Sequence, residues 1–352
     1  MDAKKVCEDR FKNEKEYLGN SKQVNKIEPL VSVTIATYQH KNFIEECLDG
    51  VLMQKTNFPI EIIIGEDGST DGTREICIDY AEKHPDKIRL FLRDRKTSQY
   101  YDDNGNFVCR FNGIWNRMSV RGKYLAFCEG DDYWIDPLKL QKQVDFLENN
   151  LEYGLVITDF NIMHQSSGKI EESLFKNQPK KYPICKSLDE FLLAAGFMAP
   201  CTWVCRKEFL PVGISVDTTF TWLLDILATS KLHVLPDVTA VYRVLPESAS
   251  HSSSLQKRYN RAKGLLKTQL DYIEKYKLSI SIKEKVLQKY FKLVFPTLIA
   301  LKQNNEITIA KNYLYPFTLK DRLLIAILKL PFNNYILRSI FWIRDKILKK
   351  VQ

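Results

Sequence analysis

The chain has 352 residues, 45% hydrophobic and 27% charged, with 52 Lys and Arg against 43 Asp and Glu for a net charge of +9. That mixture excludes a disordered or collagen-like polymer, and the length allows one large or two modest domains with a substantial core. The charge is uneven: residues 255–352 carry 21 basic and 6 acidic side chains, while the first 254 residues sum to −6. In chain order, residues 1–28 are polar and read as a loose helical lead-in. The β-branched run Val31–Thr37 predicts a buried strand. Residues 42–52 have helical spacing, with Phe43, Ile44, Cys47, Leu48 and Val51 on one face. A second strand is expected at 60–64, then a helix to about Lys83 with Asp71 as a candidate cap. Strands follow at 88–92 and 123–128, and Asp136-Pro137 reads as the start of the next helix.

Strands alternating with helices over short connections imply an α/β fold with a mostly parallel central sheet covered on both faces. In such sheets, ligands bind beyond the carboxyl ends of the strands. Residues 166–187 read as a surface excursion, and strands with one helix continue to Val244. The chain beyond Ser254 reads as helical. The domains expected are a polar lead-in (1–28), a ligand-binding half (29–165), a second half (166–254) and a basic helical region (255–352).

Eight scattered cysteines have no CxxC spacing, and five isolated histidines have no zinc-ligand spacing. The amino-terminal residues contain no apolar segment, so no export signal is expected, and the cysteines are expected to be reduced in a cytoplasmic protein. No run reaches the roughly 18 apolar residues of a spanning helix.

Two segments carry chemistry. Gly65-Glu66-Asp67-Gly68-Ser69-Thr70-Asp71-Gly72-Thr73 follows the second strand and lacks the lysine of a P-loop. A carboxylate there can accept hydrogen bonds from a nucleobase or ribose, or the turn can simply cap a helix. Glu129-Gly130-Asp131-Asp132 follows the fourth strand. Crowded carboxylates repel unless a cation compensates them, and hard oxygen ligands suit Mg²⁺ or Mn²⁺ shared with substrate phosphates. A solvated acidic turn is the alternative.

PLVSVTIATYQH, IEIIIGEDGSTDGT and GKYLAFCEGDDYW followed by Ile135-Asp136-Pro137 together resemble the nucleotide-sugar half of family 2 glycosyltransferases of bacterial surface-polysaccharide type. The likeness covers residues 29–160, with a weaker echo at 235–254. It implies a GT-A-like fold and inverting, metal-dependent transfer from a nucleotide-diphosphate sugar, with UDP favoured, to a glycan or lipid-linked acceptor. It implies base and ribose contacts at Thr37 and Tyr38, a base-reading carboxylate at Asp67, and metal and ribose carboxylates at Asp131 and Asp132. Glu129 stands where Asp is common. Arg243 and His251 match positions that touch pyrophosphate or metal in the family, and a sheet-edge Arg and a surface His are the plain alternatives. The family's catalytic base position falls on Thr219, which cannot serve; Asp217 is preferred in its place, with Asp225 as the alternative. A sugar nucleotidyltransferase and a non-catalytic nucleotide-sugar-binding or scaffolding member are the competing readings.

Residues 322–352 alternate apolar clusters with Lys and Arg, as in Phe341-Trp342-Ile343-Arg344, which suits an amphipathic segment on an anionic membrane or a helix packed on the body. The expected setting is cytoplasmic, peripheral at the inner face of the cell membrane. No nucleic-acid-reading motif is present.

Overall fold

The computed structural model describes residues 2–19, 28–194, 199–209, 218–245, 254–316, 322–323 and 326. The chain opens with helix α1 (Ala3–Phe11), capped by Asp2 and more regular than the lead-in expected there. Tyr17 N then donates to Leu90 O at 2.7 Å, so the segment is fastened to the sheet.

Strand β1 (Val31–Thr37), helix α2 (Ile44–Leu52), strand β2 (Ile60–Glu66), helix α3 (Thr73–Lys83) and strand β3 (Ile88–Leu92) form two consecutive strand–helix–strand units. The β-branched runs make the central strands because both sheet faces are covered: Val31, Val33, Ile35, Ile62, Ile63 and Ile64 are all fully buried. Each such side chain contributes about 2 kcal/mol. In α2, Ile44, Cys47, Leu48 and Val51 share the buried face that their spacing predicts. Gly72, at φ 107°, forms the cap position of α3, and Asp71 acts one residue earlier by accepting from Thr73 N at 3.0 Å.

Helix α4 (Arg95–Ser98) leads into a hairpin of β4 (Gln99–Tyr101) and β5 (Phe107–Arg110), followed by α5 (Asn112–Met118). Then come β6 (Tyr124–Phe127), β7 (Tyr133–Trp134), α6 (Lys139–Asn149) and β8 (Tyr153–His164). Asp136 accepts from Leu138 N at 2.8 Å in a turn that precedes α6, so that helix starts two residues later than Asp136-Pro137 suggests. The remaining elements are β9 (Lys169–Glu171), α7 (Leu174–Asn177), α8 (Leu188–Ala194), β10 (Val204–Arg206), α9 (Thr218–Thr229), β11 (Lys231–Val244), α10 (Leu255–Lys275), α11 (Ile280–Ala300) and α12 (Asn304–Leu314).

The sheet order is β3-β2-β1-β6-β10-β8-β11-β7, with β9 beside β8. Pairing is parallel from β3 to β6, and β10 is antiparallel to both β6 and β8. The α/β class therefore holds, and the parallel part of the sheet is its first four strands. Consecutive strands run outward from β1 to β3, while β6 inserts on the other side of β1. The chain order thus reverses between β1 and β6, the place where open α/β sheets hold ligands beyond the carboxyl ends of their strands.

The chain divides into two compact units. One comprises residues 1–163, 170–188 and 196–243, and contains most of the sheet. The other comprises 164–169, 189–195 and 244–352. Its helices α10, α11 and α12 enclose a core that includes Tyr259, Phe291, Phe295, Leu298 and Ala310. No helix among the described residues is long and apolar enough to cross a membrane.

Candidate active site

Three loops meet at the reversal of strand order. After β1, Thr37 Oγ1 lies 3.2 Å from His40 Nδ1. After β6, Gly130 N donates to Ala36 O at 3.1 Å. A Cβ on Gly130 would sit 2.7 Å from Thr37 Oγ1 and 2.8 Å from His40 Nδ1, so the acidic turn comes this close only as glycine. Burial pulls His40 below the usual histidine range, while the charges of Asp131 and Asp71 oppose the shift.

After β2, Asp67 is 2% exposed and its backbone N–H donates to Thr37 O at 3.0 Å. Ser98 Oγ donates to Asp67 Oδ1, and Arg95 donates to Oδ2 at 2.6 Å. The same guanidinium lies 3.2 Å from the centre of the Tyr38 ring. Burial raises Asp67 above the usual carboxylate range; the Ser98 hydrogen bond and the Arg95 charge restrain the rise. Neighbouring Glu66 is fully buried and held by Ser69 N at 2.6 Å and by Arg74 Nε.

The acidic turn is less well satisfied. Burial, then the charge of Asp131, push Glu129 up to about 7, and Arg117 opposes this. Asp132 is 1% exposed; its Oδ1 accepts from Arg243 N at 2.8 Å, and its buried Oδ2 has no hydrogen-bond partner. Burial, then Asp131, drive Asp132 well above its ordinary range. Asp131 itself is half-buried.

Arg243 lies beneath this turn. Only 4% exposed, it donates from Nε to Asp131 O at 2.8 Å and from NH2 to Glu46, between the rings of Phe43 and Tyr133. Its guanidinium therefore clasps the turn's backbone. Trp134 is buried, with its indole N–H donating to Cys201 O at 2.8 Å, so it packs in the core. Behind the turn, Trp222 of α9 lies 5.1 Å from Phe127, and the Arg117 guanidinium sits 4.2 Å over its ring.

Of the residues singled out in the sequence, Thr37, Tyr38, Asp67, Asp131, Asp132 and Arg243 gather along this edge. Thr219 lies in the first turn of α9, and Asp225 lies further along the same helix. Asp217 and His251 fall outside the described residues. Sequence reading missed Arg95 and Ser98. They follow β3 as Asp67 follows β2, so the strand-end rule applied to the third strand would have found them.

Residues 32–100 match the family model described as glycosyl transferase family 2. Over that segment the chain is similar to family 2 glycosyltransferases. The uncharacterised protein Rv1520 of Mycobacterium tuberculosis is 31% identical to it over 231 residues, 65% of this chain and 62% of that protein. The chain therefore spans less than two thirds of this relative's length. EpsJ of Bacillus subtilis, an uncharacterised glycosyltransferase, is 36% identical over 123 residues, 35% of this chain and 31% of that protein. The crystal structure of S. aureus TarS 1–349 aligns with a TM-score of 0.49 at 16% identity, covering 84% of this chain and 78% of that one.

The acidic turn at 129–132 suits a hard divalent cation: its donors are carboxylate oxygens, and one of them, Asp132 Oδ2, is buried without a partner. Among the described residues no three His, Cys, Asp or Glu side chains converge as a complete metal cage. A cation here would share its coordination with the phosphates of a substrate, as Mg²⁺ commonly does.

Proposed function

We propose that the chain transfers a sugar from a nucleotide-diphosphate donor, with UDP favoured, to a hydroxyl of a glycan or lipid-linked acceptor in polysaccharide assembly, with Mg²⁺ or Mn²⁺ and inversion at the anomeric carbon. One observation carries this reading: Asp67 after β2 and the 129–132 turn after β6 lie at the carboxyl edge of parallel strands that flank β1, in a chain whose residues 32–100 match the family 2 model. Tyr38, whose ring carries the Arg95 guanidinium on one face, is assigned to the base, and Asp67, held by Arg95 and Ser98, is assigned to accept from a base N–H. Asp131, half-buried where Asp132 is buried, is assigned to meet the cation. Asp132 and Arg243 act from below, fixing the backbone of the turn. When bound, the cation would neutralise charge on the departing diphosphate.

Asp217 is assigned as the base that takes the proton from the attacking acceptor hydroxyl, with Asp225 as its alternative. His251 joins the proposed metal contacts. Residues 322–352 are assigned a peripheral contact with the inner face of the cell membrane, on charge and amphipathic pattern. Deleting them should abolish sedimentation with anionic vesicles, and sedimentation that survives removes that assignment.

The reaction is tested by a screen of UDP- and GDP-sugars with Mg²⁺ and Mn²⁺, reading nucleotide release. Release from UDP donors is expected, and Asp217→Asn should stop it while UDP still binds. If Asp225→Asn stops it instead, Asp225 is the base. Nucleotide binding without release from any donor would favour a non-catalytic binding member, consistent with Thr219 at the family's base position.

A further inference from the structure

Helix α4 carries both side chains that hold Asp67, yet it is four residues long and cannot stabilise itself. Its amino end is capped by Asp94, whose side chain accepts from Lys96 N at 2.8 Å. At its carboxyl end, helical carbonyls are left without intrahelical donors. There the Arg10 guanidinium of α1 donates to Thr97 O at 2.7 Å and to Gln99 O at 2.9 Å. A cation on these carbonyls is favourable in both charge and hydrogen bonding. Elsewhere α1 and α4 stand apart across an open cleft of 630 Å³, bordered by Asn13, Lys96, Gln99, Tyr101 and Asp103. Arg10 bridges that cleft. Helix α1 has a separate anchor: Cys7 packs with Tyr100, Phe111 and Trp115, and Cys7 O accepts from Trp115 Nε1 at 3.1 Å.

We propose that Arg10 is a positioning residue of the donor site, bracing α4 from behind so that Arg95 and Ser98 stay on Asp67 and the pocket discriminates between nucleobases. The amino-terminal helix, which ends at Phe11, is thereby a working part of nucleotide recognition although the matched family segment begins only at residue 32. This inference rests on the donor-site reading above.

The test uses the full chain and calorimetric titration with UDP, GDP and ADP. Arg10→Ala should weaken the best-bound nucleotide by about threefold to tenfold and narrow its margin over the other two. Arg10→Lys, which can still donate to a carbonyl, should recover much of both. Because α1 keeps its apolar anchor, the melting temperature should shift little. Unchanged affinities in Arg10→Ala, or an equal loss for all three nucleotides, would overturn the proposal. A wild-type chain that binds none of the three would overturn the donor-site reading first, and the role of Arg10 with it.

Discussion

The two ends of the parallel sheet treat buried carboxylates in opposite ways. At the amino ends, Glu61 of β2 is fully buried, and Ser32, Arg89 and Arg121 all reach it, with Arg121 NH2 at 2.6 Å and Arg89 NH1 at 3.1 Å. Burial alone would raise Glu61, but the hydrogen bonds from Ser32 and Arg121 outweigh it and hold the group below its usual range. At the carboxyl ends, Glu129 and Asp132 are raised, and the charge of Asp131 adds to the effect of burial. The same strands thus carry one carboxylate supplied with more cations than it needs and a turn supplied with too few. The first arrangement is complete as folded. The second would be completed by the cation proposed above, a contrast that a count of acidic residues does not show. Asp67 lies between these extremes, raised by burial yet paired with Arg95.

The largest effect should come from the under-supplied turn. Asp131→Asn keeps the size of the side chain and removes its charge from the turn. Metal-dependent nucleotide release should fall by about 10³-fold, the scale of losing one preorganised electrostatic contact to a developing charge. Stability should hold or rise slightly, because Glu129 and Asp132 lose a like-charged neighbour. Release at the wild-type rate would show that the turn is a solvated acidic loop and that the contrast between the two sheet ends has no chemical meaning.

A smaller effect is expected at the intermediate site. In Asp67→Asn, Arg95 loses a charged partner and the base loses an ionised acceptor. A hydrogen bond to a charged group is worth about 1.5–3 kcal/mol, so UDP should bind roughly 10- to 100-fold more weakly. Turnover at saturating donor should change far less. If turnover collapses while affinity is kept, Asp67 belongs with the cation site instead of the base.

Much of this was legible in the sequence because it is local. The β-branched run Val31–Thr37 and the triple isoleucine of β2 fix the strands, and the loops that follow them carry the chemistry. What the sequence left open depends on contacts between distant residues. The spacing of Asp131 and Asp132 cannot reveal that one stays half-buried while the other turns inward to Arg243 N, 111 positions away. Arg243 looks equally suited to a diphosphate until its guanidinium is found beneath the turn. Arg10 sits in a polar stretch with no periodic signal, and its role appears only when the chain brings it to Thr97, 87 positions on.

The smallest effect concerns a cation near the turn that does not serve it. Lys139 is fully buried under the Trp134 ring at 4.4 Å, and its Nζ donates to Gln143 Oε1 at 2.6 Å, not to a carboxylate. Burial lowers it to about 7. In the unfolded chain the group keeps its ordinary value near 10.4, so that state binds more protons between roughly pH 7 and 10. Stability should therefore rise with pH across that window, by up to about 3–4 kcal/mol, with the cost of the buried charge fully present below pH 7. Lys139→Met should flatten this slope in denaturant titrations from pH 6 to 10, even though Gln143 Oε1 loses its donor and the absolute stability shifts as well. Were Lys139 instead paired with the acidic turn, its proton would be held more tightly, wild type would show no such rise, and the turn would already contain the cation it is argued to lack.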